Sequence, residues 1–225
     1  MTLDIKYHTM LSFETDEQLG NDGKEGVTYA GIVSKRYRKD VMGIVVSLSR
    51  GEPIAVKTFK PTKSGARIRR EASFQQRCAK VDVSPVVYAV DTTKKYIAME
   101  QLDSQPVKTY AGTSLPDTLQ YQLCALMRRM DTIGVLHNDM NAHNIMLNHA
   151  GRPYVIDFGL SKEIRSKERK KFGDSPNISV TLWGLVRGFK RYKVKCEILE
   201  ACVKAKKKES FFEKGESLLK RKRKR

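Results

Sequence analysis

Three short segments of this 225-residue chain carry residue types that could do chemistry. In Ala55-Val56-Lys57 a lysine sits inside an apolar, strand-like run, where burying its ammonium is costly unless an anion meets it. Glu71, fourteen residues on in a helix-favouring stretch, is the obvious partner. In His137-Asn138-Asp139-Met140-Asn141-Ala142-His143-Asn144 a carboxylate and an amide stand five residues apart on a loop. The carboxylate of Asp139 can accept a hydroxyl proton, and the amide oxygen of Asn144 can help hold a divalent cation. In Asp157-Phe158-Gly159 an aspartate follows the apolar burst Tyr154-Val155-Ile156, placed to coordinate Mg²⁺ while the backbone turns away at the glycine. Each segment alone has an ordinary reading: a surface lysine near an unrelated carboxylate, an Asn-rich turn, and a turn that ends a strand.

The surrounding pattern predicts the elements that must position these groups. Residues 27–33, 43–48 and 54–59 are β-branched and apolar. The last two flank Arg50-Gly51-Glu52-Pro53, which predicts a hairpin presenting Lys57. Residues 64–80 favour a helix carrying Glu71, with Ile68, Ala72 and Phe74 or Gln75 on one side. Residues 86–90 and 96–99 predict two more strands joined by the polar loop 91–95. Leu119, Leu123, Leu126, Met127 and Met130 recur at helical spacing over 116–133, with Pro116-Asp117 in the first turn and Gly134 as the stop. Short apolar bursts follow at 135–136, 145–147 and 154–156. Residues 177–202 then read as one helix with Leu182, Leu185, Val186 and Phe189 on a face, and Trp183 as core. A strand-rich first half thus joins a helix-rich second half near residues 100–105.

Composition bounds the classes of function. The chain carries 43 Lys+Arg against 25 Asp+Glu, a net +18, and is 40% hydrophobic and 30% charged. These fractions exclude wholesale disorder and a membrane-embedded bundle, and the longest apolar stretch, near 41–48, is far short of a span. Asp4, Lys6 and His8 leave no room for an apolar secretion segment, so the expectation is a soluble protein of the cytoplasm or nucleus with no membrane partner. Cys78, Cys124, Cys196 and Cys202 are scattered and read as reduced thiols. His137, His143 and His149 stand six apart, a spacing that does not stack imidazoles on one helix face, so His137 reads as a prop behind the loop rather than a metal ligand. The positive charge is uneven: residues 204–225 hold eleven Lys/Arg against three Glu and end in the unbroken run 220–225. That run reads as a solvated tail, a nuclear-import signal or a nucleic-acid contact.

Taken together, A-V-K, a helix glutamate, H-x-D-x-x-x-x-N and D-F-G resemble the protein-kinase signature, in its order. The resemblance implies an α+β, bilobal protein-kinase-like fold: a strand-rich N-lobe over about 1–100, a hinge at 100–105, a shortened helical C-lobe over 106–203 and a basic tail over 204–225. It implies ATP and Mg²⁺ as cofactors. Lys57 would grip the α/β-phosphates and be positioned by Glu71, Asp139 would be the catalytic base, and Asn144 and Asp157 would be the Mg²⁺ ligands. Met99 resembles the gatekeeper, with backbone groups of Glu100 and Leu102 meeting adenine. Residues 19–29 resemble the glycine loop L-G-x-G-x-x-G-x-V-Y with one extra residue between the first two glycines, which implies phosphate contacts from Gly20, Gly23 and Gly26. The rival register is 35–43. The 28 residues between Gly26 and Ala55 imply an insertion near 35–42 that extends a hairpin.

Departures narrow the family. Asn138 replaces the arginine that usually receives a phosphorylated activation loop, Asn141 stands where protein kinases usually carry lysine, and no Ala-Pro-Glu follows. Only 66 residues follow Gly159, too few for a full C-lobe. The compact kinase of the KEOPS tRNA-modification complex is similar in its D-F-G-L-S, here 157–161, its short C-lobe and its basic end. The lean serine/threonine kinases of large DNA viruses are similar over 23–29, 57–60, 84–88 and 95–100. These resemblances imply transfer of the γ-phosphate of ATP to Ser/Thr of a protein, with an acidic substrate suiting the basic chain. Ser161, Ser166 and Ser175 are candidate autophosphorylation sites. The alternatives are an ATPase or kinase subunit of a tRNA-modification complex, a small-molecule phosphotransferase of the aminoglycoside or choline type, and a non-catalytic ATP-binding scaffold for nucleic acid.

Overall fold

The computed structural model describes residues 8–221 apart from 21, 24, 206 and 207. The chain divides into two compact units, Met1–Lys80 with Pro85–Leu102, and Val81–Ser84 with Asp103–Arg225.

The first unit runs β1 (Phe13–Gln18), β2 (Gly26–Val33), β3 (Tyr37–Asp40), β4 (Val45–Leu48), β5 (Pro53–Phe59), α1 (Gly65–Ala79), β6 (Val87–Asp91) and β7 (Tyr96–Glu100). Five of these strands form an antiparallel sheet in the order β1-β2-β5-β7-β6. Ile54, Ala55 and Val56 are consecutive and all buried, which only a central strand covered on both faces allows. The structure corrects the expected hairpin between 43–48 and 54–59. Both edges of β5 are occupied, Ala55 standing opposite Ala30 of β2 and Met99 of β7. β4 therefore turns back on β3 through Met42-Gly43, both with positive φ (53° and 79°), as a two-residue hairpin requires. The insertion expected near 35–42 is this extra hairpin, which buries Tyr37, Val46 and Leu48 in the core.

Ser64 caps α1, its hydroxyl accepting from the Arg67 N–H at 3.3 Å. Ile68, Glu71, Ala72, Gln75 and Cys78 recur at three and four and form the buried face. Gln76 pins the helix: its amide donates to the carbonyls of Val41 (2.8 Å) and Val87 (3.1 Å) and accepts from the Val87 N–H (2.7 Å).

The second unit comprises β8 (Ser104–Pro106), a 3₁₀ turn (Val107–Tyr110), α2 (Asp117–Thr132), β9 (Val135–Leu136), β10 (Ile145–Asn148), β11 (Pro153–Val155), β12 (Lys162–Glu163), α3 (Ser166–Phe172), a π-helical turn (Asn177–Leu182), α4 (Trp183–Arg191), α5 (Glu197–Lys204) and α6 (Glu209–Arg221). Strands β11-β10-β8 and β12-β9 form two small antiparallel sheets. α2 is the hub: Leu119, Leu123, Leu126, Met127 and Met130 are all buried. No helix among the described residues is long and apolar enough to cross a membrane, and all four cysteines are free and buried.

Three expectations for this half are corrected. The helix expected over 177–202 breaks at 192–196, where Lys193 is left-handed (φ 54°) and the main chain of residues 192 and 195 bonds to that of residues 112, 113 and 115. Trp183 is 47% exposed rather than core, while Leu182 and Leu185 are buried as expected. Residues 209–221 do not form a solvated tail. Phe212, Gly215 and Leu219 make a buried stripe inside the charged segment, and Arg129 of α2 grips Glu216 of α6 at 2.5–2.6 Å. Residues 222–225 of the basic run lie outside the described residues.

The α2–α6 contact needs a glycine. A Cβ at Gly215 would stand 2.1 Å from the Tyr121 carbonyl oxygen and 2.8 Å from the Ala125 Cβ. Gly215→Ala is expected to cost about 1–3 kcal/mol by overpacking and to lower the melting temperature by several degrees. An unchanged melt would show that α6 does not lie against α2.

Candidate active site

In the first unit the central strand of the sheet holds the lysine. Lys57 lies in β5, opposite Thr28 of β2 and Ile97 of β7, with its side chain 16% exposed. Its Nζ meets Glu71 Oε1 at 2.7 Å, and Glu71 is only 2% exposed. The other carboxylate oxygen is taken by a residue that the linear motif did not single out: Lys63 Nζ lies 2.5 Å from Glu71 Oε2 and is 3% exposed. Lys63 also pairs with Glu25, which in turn pairs with Arg67 on α1. Burial pushes the Glu25 carboxyl up, but its bond to Lys63 and the charges of Lys63, Arg67 and Lys57 outweigh that and hold it below the usual carboxylate range. A buried ammonium thus ties the Lys57–Glu71 pair to a residue of the glycine-rich segment. The signal for it was faint, because Lys63 and Glu25 are 38 residues apart in a chain rich in both types.

Residues 20–25 lie between β1 and β2 and Gly26 opens β2, whereas the rival segment 35–43 forms β3 and its turn. Gly23 donates its N–H to the Gly26 carbonyl at 2.9 Å, and Gln18 donates to the Gly20 carbonyl at 3.0 Å. A Cβ at Gly26 would come within 2.0 Å of the Thr58 carbonyl oxygen, so the approach of β5 alone already demands glycine there. Met99 is buried in β7, its sulfur accepting from Gln75 at 3.3 Å. The Glu100 N–H donates to the Val86 carbonyl at 2.8 Å, while its carboxylate accepts from the Val86 N–H at 3.1 Å. Leu102 is the last residue of the unit.

In the second unit the loop 137–144 joins β9 to β10 and is held from behind. His137 is fully buried: its Nε2–H donates to the Ile156 carbonyl at 3.1 Å, and its ring stands edge-on to Phe158 with centroids 4.9 Å apart. Asn144 is buried, and its amide NH₂ donates to the Asp139 carbonyl at 2.9 Å, which leaves the amide oxygen uninvolved in that bond. Asn141 makes the same kind of bond to the Asp139 carbonyl at 3.3 Å. Asp139 is half-buried and Asp157 exposed. The Ile156 N–H donates to the Asn144 carbonyl at 3.0 Å, so the β10–β11 hairpin sets Asn144 beside the residue that precedes Asp157. Asn138 and Asp157 both have positive φ, 64° and 63°. Asn and Asp tolerate that conformation better than other side-chain-bearing residues, and clustering of such strain is a mark of functional loops. Ser161 is buried, its hydroxyl on the His137 carbonyl at 3.2 Å, which removes it as an accessible phosphate acceptor.

Asn177 braces this loop. Its side chain donates to Asp131 Oδ1 and the Val135 carbonyl, both at 2.8 Å, and accepts from the His137 N–H at 3.2 Å. Burial pushes the Asp131 carboxyl up to about 6, against the lowering pull of the Asn177 bonds and of Arg128 and Arg169. An unfolded aspartate titrates near 3.9, about two units lower, so the native state holds this proton more tightly. The stability it contributes, at most about 3 kcal/mol, is full below pH ~4 and is lost as the pH rises through ~6. Asp131→Asn keeps an oxygen for Asn177 and is expected to raise the melting temperature at pH 7.5 but not at pH 4. Equal shifts at both values would contradict the burial of this charge.

Among the described residues no three or more His, Cys, Asp or Glu group as a metal cage. An amide oxygen and one carboxylate, both hard donors, fit Mg²⁺ instead, because that ion keeps waters and phosphate oxygens in most of its positions.

The ABC1 atypical kinase-like domain matches residues 63–176, half of the chain. The chain belongs to the ABC1 atypical kinase-like family. This atypical kinase-like chain is 31% identical over 101 residues to the KEOPS complex subunit Bud32 of Pyrococcus abyssi, covering 43% of this chain and 45% of that protein. It is 29% identical over 110 residues to an EKC/KEOPS complex subunit of Schizosaccharomyces pombe (44% and 46%), and 30% identical over 128 residues to cyclin-dependent kinase 11B of Rattus norvegicus (52% and 28%). The matches therefore span less than half the length of each of these relatives. The kinase-like resemblance read from the motifs and the α+β architecture both hold.

Proposed function

We propose that this atypical kinase-like chain transfers the γ-phosphate of ATP to a serine or threonine hydroxyl of a protein substrate. The observation that carries the reading is the Lys57–Glu71 pair at 2.7 Å, which fixes a partly buried ammonium on the central strand of the sheet and is tied through Lys63 and Glu25 to the glycine-rich segment. In this reading Lys57 meets the α/β-phosphates, the 20–26 segment lines the phosphates, and Met99, Glu100 and Leu102 meet the adenine. Asp139 takes the proton of the attacking hydroxyl as its oxygen bonds to the γ-phosphorus and ADP leaves. Bound at Asn144 and Asp157, Mg²⁺ supplies charge neutralisation at the phosphates. Positioning and electrostatics do most of the work in such transfers.

The net charge of +18 supports an acidic protein as substrate, through long-range attraction. Four free cysteines support a reducing compartment, cytoplasm or nucleus, as the place of work. The similarity to two KEOPS subunits favours a second reading, ATP turnover within a tRNA-modification assembly.

The test is incubation with γ-labelled ATP and Mg²⁺ alone, with casein, with an aminoglycoside and with tRNA. Phosphoserine or phosphothreonine in casein or in the chain itself is the expected result. Labelled aminoglycoside would replace this reading by a small-molecule phosphotransferase, and phosphate release without phosphoprotein by an ATPase.

A further inference from the structure

α4 presents a face that neither the core nor the catalytic groups use. Trp183, Arg187, Lys190 and Arg191 fall within an arc of about 100° at 3.6 residues per turn, all exposed, while Leu185, Val186 and Phe189 point the other way into the core. Tyr192 and Lys193, also exposed, continue the face beyond the helix end. The Arg187 guanidinium stacks on the Trp183 ring, 4.7 Å from its centroid. One nearby carboxylate softens the charge: Glu200 reaches Lys190 at 3.5 Å.

Trp183 is the chain's single tryptophan and is 47% exposed. Large aromatic surface left in water beside four cations is what a stacking platform with phosphate contacts looks like. Gly184 and Gly188, on the flank of the face, cost helix stability of about 1 kcal/mol each, yet a Cβ at either would meet nothing within 4 Å. Packing within the described residues does not require them, and they leave the face low enough for a backbone to lie close. We infer that this face of α4 binds single-stranded nucleic acid, one base stacking on Trp183 and the strand's phosphates meeting Arg187, Arg191 and Lys193. Charge complementarity alone would admit an acidic protein, but such a partner makes no use of the tryptophan–arginine stack, whereas every base has a π-face.

The single tryptophan makes the test direct. Titrating the full chain with a twelve-nucleotide single strand is expected to quench its tryptophan emission, with an affinity that falls as salt rises. The double variant Arg187→Ala/Arg191→Ala is expected to bind about tenfold more weakly, with a salt slope smaller by about 1.4. Trp183→Phe, followed by the anisotropy of a labelled strand, is expected to lose about fivefold or more in affinity with an unchanged melting temperature. Replacing Lys222, Arg223, Lys224 and Arg225 by alanine is expected to leave the quenching intact. The inference is overturned if polyglutamate quenches as strongly as the nucleic acid, if binding is lost only in the four-residue tail variant, or if no strand binds.

Discussion

Asp139→Asn is expected to slow phosphoryl transfer by about 10²–10⁴-fold, the usual contribution of a positioned general base. The substitution keeps the shape of the side chain and the main-chain carbonyl on which the Asn144 and Asn141 amides converge. The loop should therefore stand, and the loss should fall on kcat with the KM for ATP nearly unchanged, the pattern of an interaction made only in the transition state. Single-turnover labelling separates the two. A rate within tenfold of the unsubstituted chain would remove Asp139 from the role of base. The companion variant Asp157→Asn is expected to raise the Mg²⁺ concentration needed for half-maximal rate, and a wild-type Mg²⁺ dependence would end the assignment of Asp157 as a ligand.

The largest loss of stability is expected from Glu71→Ala. Its carboxylate serves two ammonium groups, Lys57 at 2.7 Å and Lys63 at 2.5 Å. Removing it leaves Lys63, 3% exposed, with Glu25 alone. Breaking a buried pair by deleting one partner costs about 3–5 kcal/mol, which corresponds to a melting temperature lower by about 10 °C. Lys57→Ala is the informative contrast. Lys57 is the more exposed partner at 16%, and Glu71 keeps Lys63 when Lys57 is gone. That variant is expected to lose labelling while its melting temperature falls much less. Equal destabilisation by the two would mean that Lys63 does not share the Glu71 carboxylate.

The distinction between those two variants was not legible in the linear pattern. A lysine in a strand and a glutamate fourteen residues on can be paired by inspection, because strand and helix periodicities are local and both residues sit on the faces those periodicities select. Lys63 lies in a loop with no periodicity, and its partner Glu25 comes from the far side of the sheet's sequence, so nothing local marks either. The same reason explains the pairing error around β4. Apolar residues at 43–48 and 54–59 define two strands, but which edges meet depends on β2 and β7 competing for β5. The α6 stripe was hidden by composition: Phe212, Gly215 and Leu219 are helically spaced, but they stand in a segment of dense positive charge.

By itself, then, the order of residues determined the strand-rich and helix-rich halves, the helix that carries Glu71, the loop from His137 to Asn144, and the membership of a kinase-like family that their sequence order discloses. Only the tertiary structure decided which carboxylate a buried lysine shares, which strand edge was left for β4, and which face of α4 stayed in water. Short-range spacing fixes what a side chain can offer its own element. Pairing across the sheet and burial between helices depend on every other element competing for the same edges and surfaces, and no local stretch of chain carries that information.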